Sequence, residues 1–209
     1  MKNNNLKIAL PKGRMGNKVY TMFSKIGLEC GETFNDSRKL VFHNDERKVS
    51  YFLVKPSDVG IYVERGAADI GVIGKDILIE QQSDVFELLD LKLGKCSLSV
   101  AALKGYVPDT SKRLTVATKY VNTAKNYYAC LGQEVEVIKL GGSIELAACL
   151  GLANTIVDIV ESGATIRENG LEVIAEIALS SARLISNKIS FKFKNREITK
   201  IVGELEKTL

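Results

Sequence analysis

Tryptophan is absent from this 209-residue chain, histidine occurs once and proline only three times. With His43 alone, a Cys/His zinc site has little to build on. The four cysteines, Cys30, Cys96, Cys130 and Cys149, are far apart and form no Cys-x-x-Cys pair. They are expected to be free thiols buried as small apolar residues, which fits a reducing compartment. A cysteine nucleophile would have to use His43, which lies in the alternating run Leu40-Val41-Phe42-His43. That pattern predicts a strand, not a catalytic histidine. No apolar run approaches the roughly 18 residues of a membrane span. The early run Leu6–Leu10 also falls short of the roughly 7 to 15 residues of a signal-peptide core. Charge of one sign is missing too: 29 Lys and Arg against 25 Asp and Glu leave +4, scattered and without a nucleic-acid recognition motif. With 45% hydrophobic and 26% charged residues the composition is globular. The expectation is a soluble, cytoplasmic chain of one large domain or two small lobes.

Apolar runs alternate with segments of helical period. Strands are predicted at Leu6–Leu10, Val49–Val54, Asp69–Ile73, Ser97–Leu103, Leu114–Thr118, Glu134–Leu140, Thr155–Val160, Leu171–Ala178 and Arg183–Ser186, most of them rich in β-branched residues. Helical spacing joins Val19, Met22, Phe23 and Ile26 up to a stop at Gly27, and a second helix opens at Pro56-Ser57-Asp58 and ends at Gly66. Further helices follow Gly74-Lys75-Asp76, run from Tyr120 to Leu131, start at Ser143 as a cap, and carry Ile198, Ile201, Val202 and Leu205 on one face. Strand–helix–strand order predicts an α/β protein with parallel sheets. One echo is visible: Gly66 precedes Ala68-Asp69 and a strand, and Gly151 precedes Ala153-Asn154 and a strand. Two similar lobes would produce it, and so would coincidence. Lys2–Asn5 reads as a frayed tail.

Four segments carry candidate chemistry. In Thr155-Ile-Val-Asp-Ile-Val-Glu-Ser-Gly-Ala-Thr165 an apolar strand delivers Asp158 and Glu161 into a loop of Ser162, Gly163, Ala164 and Thr165. Successive N–H groups and two hydroxyls there can form a concave anion site, with Gly163 allowing close approach of the backbone. The two carboxylates suit ribose hydroxyls, from which they can only accept. The same residues also suit an ordinary strand-to-helix turn. Ala9-Leu-Pro-Lys-Gly-Arg14 follows the first strand, where open α/β sheets bind ligands. There Lys12 offers a point charge, Gly13 an open backbone and Arg14 a bidentate fork, although an exposed polar turn would look alike. Asp69-Ile-Gly-Val-Ile-Gly-Lys-Asp76 is glycine-rich without G-x-G-x-x-G. A P-loop is missing as well. Asp76 either accepts from a base amino group or caps a helix. Arg38 and Lys55 adjoin predicted strands as cations of a binding site or merely solvated charges. Tyr127-Tyr128 suit base stacking or packing.

Together and in this order the segments resemble the ATP phosphoribosyltransferase family, from Ile8 to about Ser186. The resemblance is carried by Glu145, Gly151-Leu-Ala153, Ile156 to Thr165, Asn169-Gly-Leu171, Ala-Leu-Pro-Lys-Gly-Arg14, Tyr62-Val-Glu-Arg-Gly-Ala-Ala-Asp-Ile-Gly71 and Ala117-Thr-Lys-Tyr120. Two positions depart from the family pattern: Lys55 replaces an arginine, removing a planar fork, and Ile166 stands where Leu or Met is usual.

The resemblance implies two α/β lobes with mainly parallel sheets, like type II periplasmic binding proteins, with the active site in the cleft between them. Lobe I would comprise residues 1–94 plus about 182–209, and lobe II residues 95–181. It implies transfer of the phosphoribosyl group of 5-phosphoribosyl 1-pyrophosphate (PRPP) to N1 of the adenine of ATP with release of pyrophosphate, the first step of histidine biosynthesis. Asp158, Glu161, Ser162, Gly163, Ala164 and Thr165 would bind PRPP, and Lys12, Gly13, Arg14 and Asp76 would bind ATP. Arg38 and Lys55 would act on the leaving group. Mg²⁺ would accompany pyrophosphate with no dedicated side-chain site. An end at Leu209 resembles the family's short form, which implies a homodimer within a hetero-oligomer containing a regulatory subunit related to histidyl-tRNA synthetase. The alternatives are a nucleobase-salvage phosphoribosyltransferase and a non-catalytic two-lobed binding domain.

Overall fold

Apolar residues on both faces mark a central strand such as Ile70–Gly74, because a strand covered on both faces must be apolar on both. A computed structural model describes residues 5–30, 39–109 and 111–209. The order is β1 (Leu6–Pro11), α1 (Arg14–Lys25), β2 (Val41–Asn44), β3 (Val49–Val54), α2 (Val59–Glu64), β4 (Ile70–Gly74), α3 (Lys75–Gln81) and β5 (Phe86–Asp90). There follow β6 (Cys96–Leu103), β7 (Leu114–Thr118), α4 (Val121–Cys130), β8 (Val135–Lys139), α5 (Glu145–Cys149), β9 (Thr155–Val160) and α6 (Ala164–Glu168). The chain closes with β10 (Leu171–Ser180), β11 (Ala182–Ser186), α7 (Lys188–Phe193) and α8 (Asn195–Glu206).

Two compact units result, one comprising residues 1–78, 82–94 and 181–209, the other 79–81 and 95–180. The sheet of the first has the order β2-β3-β1-β4-β11-β5. Its strands β1, β3, β4 and β5 share one direction, and β2 and β11 oppose them. Period-two alternation divides β1 between two cores. Leu6, Ile8 and Leu10 pack with Val19 and Phe23 of α1 and with Ile198, Ile201 and Leu205 of α8. Ala9 faces the other way, with Val59 and Val63 of α2. Helix α2 lies so close that a Cβ on Gly71 would sit 2.7 Å from Val63 Cγ2.

The sheet of the second unit has the order β10-β6-β9-β7-β8, with β6 alone running against the other four. On one face Ala101, Ala117 and Ile156 meet Ile144, Ala147 and Ala148 around α5. On the other, Val116 and Val157 meet Tyr120, Ala124 and Tyr128 of the α4 segment. Tyr128 is a packing residue, its hydroxyl 3.2 Å from Thr155 Oγ1 and its ring edge-on to Tyr127.

Several sequence expectations need correction. Of the free cysteines only Cys30 is buried, and Cys130 and Cys149 are exposed. Ser143 does not cap α5 through its side chain: it adopts φ +49° and only its carbonyl accepts from Leu146 N–H. Residues 1–4 lie outside the described residues, but Asn5 is buried, with Nδ2 3.4 Å from Ser50 Oγ. His43 does lie on a strand, with Nδ1 2.8 Å from Ser50 Oγ. Strand β5 and helix α7 carried no sequence signal that was recognised.

Candidate active site

In the first unit the site candidates gather where parallel strands end. The register β1–β3 runs from Leu6↔Val49 to Pro11↔Val54, so Lys12 and Lys55 leave adjacent strands side by side. Lys12 N–H donates to Val54 O at 2.8 Å, which fixes the level of the two lysines. Gly13 then turns the chain with φ +95°, a left-handed conformation that favours glycine, and Arg14 begins α1. Lys12, Gly13, Arg14 and Lys55 are all exposed. Gly16 is the residue that permits this geometry: a Cβ there would lie 1.8 Å from Pro11 O. Sequence reasoning missed Gly16, although its spacing behind the Pro-Lys-Gly turn was visible.

Asp76 occupies the first turn of α3 and is buried. Its carboxylate folds back over Gly74, where a Cβ would stand 2.4 Å from Oδ1. A carboxylate at a helix start suits the macrodipole, and this one stands just past the end of β4. Neighbouring Lys75 is engaged with Glu87 at 2.5 Å. Arg38 lies outside the described residues.

In the second unit β9 ends in the loop Glu161–Gly163, from which the short helix α6 starts. Gly163 holds φ +70° as the residue before the helix, and itself brings no side chain to cap it. The first amides of α6 therefore have no intrahelical acceptor. Ser162 Oγ accepts from Ala164 N–H at 3.3 Å. Glu161, Ser162 and Thr165 are exposed. Ile166 is buried beneath the turn and pins it to the core, so the isoleucine keeps the packing role of its position. Arg167 is a residue that sequence reasoning passed over. Four positions beyond Gly163, it returns across the loop, with Nη1 2.8 Å from where a Gly163 Cβ would be. A turn of helix-start amides, two hydroxyls and a guanidinium can hold a dianionic phosphate.

Asp158 is set one turn of the pleat before the loop, its side chain 15% exposed. Oδ1 accepts from Ile159 N–H at 2.8 Å and lies 3.6 Å from Lys119 Nζ. Burial pushes the Asp158 carboxyl above the ordinary aspartate range, with Glu145 adding to the rise, and Lys119 and the Ile159 N–H work against it. Structure thus separates the two carboxylates that the sequence paired: Asp158 is half-buried and ion-paired, and Glu161 is open to solvent.

The family model HisG: ATP phosphoribosyltransferase matches residues 55–207. An ATP phosphoribosyltransferase of Brachyspira hyodysenteriae is 59% identical over 205 residues, covering 98% of this chain and 100% of that protein. One of Clostridium kluyveri is 47% identical over 207 residues, covering 96% and 92%. Among solved structures, the ATP phosphoribosyl transferase (HisG:HisZ) complex from Thermotoga maritima has a chain with a TM-score of 0.86 and 31% identity, with 97% of each chain covered.

Proposed function

The chain belongs to the ATP phosphoribosyltransferase family, and from that premise we propose how its residues divide the reaction. The activity joins ATP and PRPP in the first step of histidine biosynthesis. N1 of adenine attacks the anomeric carbon of the ribose and pyrophosphate leaves. This nitrogen is unprotonated near neutral pH, so no strong general base is required. Catalysis then rests on holding two polyanions in line and on stabilising the departing charge.

The loop Glu161–Thr165 receives the ribose 5-phosphate through its amides, Ser162 and Thr165, with Arg167 neutralising charge. Asp158 and Glu161 accept hydrogen bonds from the ribose hydroxyls. The observation that carries this reading is the glycine-led turn that starts α6 after β9, with Asp158 behind it and Arg167 across it. Lys12, Gly13 and Arg14 receive ATP phosphates, and Asp76 accepts from the adenine amino group. Arg38 and Lys55 counter the charge of pyrophosphate. Lys55 does so as a point charge, without a bidentate fork.

Mg²⁺ fits as an ion carried by substrate. Magnesium keeps much of its water and binds readily through substrate phosphates, so no side chain of this chain is assigned to hold it. When bound it neutralises pyrophosphate. Assembly with a regulatory chain is proposed on the ground that the Thermotoga maritima structure is a HisG:HisZ complex. A homodimer within that hetero-oligomer and a cytoplasmic location complete the proposal. Among the described residues no helix is long and apolar enough to cross a membrane.

Pyrophosphate release from ATP plus PRPP, with and without the regulatory chain, tests the activity. Gly163→Val combined with Thr165→Ala is expected to lower kcat/KM for PRPP at least about 100-fold, with the far-ultraviolet circular dichroism unchanged. Unaltered turnover in this variant removes the loop from the mechanism.

A further inference from the structure

Lys119 and Glu145 have no part in the scheme above, yet both bear on Asp158. Strands β7 and β9 are parallel neighbours in the register Thr118↔Val157, so Lys119 and Asp158 follow at the same level. Alternation gives them one face, since Ala117 and Ile156 both belong to the core around α5. The backbone at Lys119 is held on both sides by buried Thr118, whose Oγ1 donates to Val157 O at 2.5 Å and accepts from Tyr120 N–H at 2.8 Å. The ammonium stands 3.6 Å from Asp158 Oδ1 and 4.9 Å from the centroid of the Tyr120 ring. The Lys119 side chain is 40% exposed, against 15% for that of Asp158. One side of the pair is therefore open for a substrate hydroxyl.

We infer that Lys119 is a positioning residue for the sugar-phosphate substrate: it orients the Asp158 carboxylate and keeps it an acceptor, with Glu145 acting in opposition. The inference rests on the assignment of Asp158 to the ribose hydroxyls. Of the elements packed on β9, β7 leads to Lys119, α5 brings Glu145, and β6 sets uncharged Ser99 opposite Asp158. Burial and Glu145 favour the protonated carboxyl, and Lys119 and the Ile159 N–H favour the anion. Only the anion offers all its lone pairs to hydroxyl donors. Removing the cation raises the Asp158 pKa, so proton uptake begins at higher pH. Removing Glu145 lowers it.

The test is kcat/KM for PRPP against pH, measured in the assembly in which the chain is active. Ionisation of PRPP itself cancels between variants. Lys119→Gln is expected to move the acid limb up by about one pH unit, Lys119→Arg to restore it, and Glu145→Gln to move it down. Lys119→Met is the second neutral variant should Lys119→Gln fail to fold. A uniform loss at all pH values with an unmoved limb overturns the inference and makes Lys119 a direct ligand or a structural residue. Asp158→Asn separates the two readings. If PRPP use survives that change intact, the assignment of Asp158 falls. If Asp158→Asn impairs PRPP use and the limb of the neutral Lys119 variants stays in place, only the present inference falls.

Discussion

Two turns in different units of this molecule solve one problem with the same backbone and different charge. In the first unit α2 ends at Gly66, with φ +72°, and Ala68 is buried with its N–H on Tyr62 O. Asp69 then clasps the start of β1: its N–H donates to Lys7 O and its Oδ2 accepts from Lys7 N–H, both at 2.8 Å. In the second unit α5 ends at Gly151, with φ +71°, and Ala153 N–H donates to Ala147 O. Asn154 clasps the start of β7 in the same two-point manner, with Thr115 O and Thr115 N–H each at 2.9 Å. The weak echo between Gly66-x-Ala-Asp and Gly151-x-Ala-Asn is therefore a repeated device for setting one parallel strand against another.

The difference lies in what covers the turn. Asp69 is buried beneath the C-terminal helices, where Oδ2 also accepts from Lys194 Nζ and Oδ1 from Ser190 Oγ, each at 2.7 Å. Asn154 is exposed. An amide oxygen is enough for the clasp. A carboxylate is needed where an ammonium and a hydroxyl must be satisfied as well.

Removing Asp69 tests this comparison most severely. Asp69→Ala leaves the Lys194 ammonium with the Asn5 carbonyl alone and takes the acceptor from Lys7 N–H, and is expected to cost about 3 kcal/mol, with Asp69→Asn, which keeps the clasp, costing roughly half of that. Thermal unfolding measures both, at roughly 2–4 °C for each kcal/mol in a chain of this size. A smaller effect is expected at the exposed turn. Asn154→Ala is expected to cost about 1 kcal/mol, and Asn154→Asp to stay within about 0.5 kcal/mol, since either side chain accepts from Thr115 N–H. Equal losses at Asp69 and Asn154 would break the account of why only one turn is charged.

Much of the fold was legible because its signals are local. The β-branched runs at Val49–Val54 and Thr155–Val160 mark strands whose bounds the structure reproduces, and glycines at positive φ mark the helix ends at Gly66 and Gly151. What escaped depends on distant partners. Phe86–Asp90 becomes a strand by pairing with β11, almost a hundred residues later. Helix α7 opens at Asn187, whose Oδ1 accepts from Ile189 and Ser190 N–H, a cap that was readable but stood in a segment without helical periodicity. The cysteine expectation erred because residue type says little about which helix face a thiol occupies: Cys130 and Cys149 are each the last residue of a helix, exposed to solvent. Within the candidate site, the strand and loop at 155–165 could be read directly. The ion pair Lys119–Asp158 and the fold-back of Arg167 could not, because they depend on register and on side-chain direction.

The central claim, that the turn after β9 receives the ribose 5-phosphate, is tested most directly by a crystal structure of the chain with PRPP. The account predicts the 5-phosphate against the amides of residues 162–165, with the ribose hydroxyls on Asp158 and Glu161. A 5-phosphate bound elsewhere, with that turn empty, would contradict it.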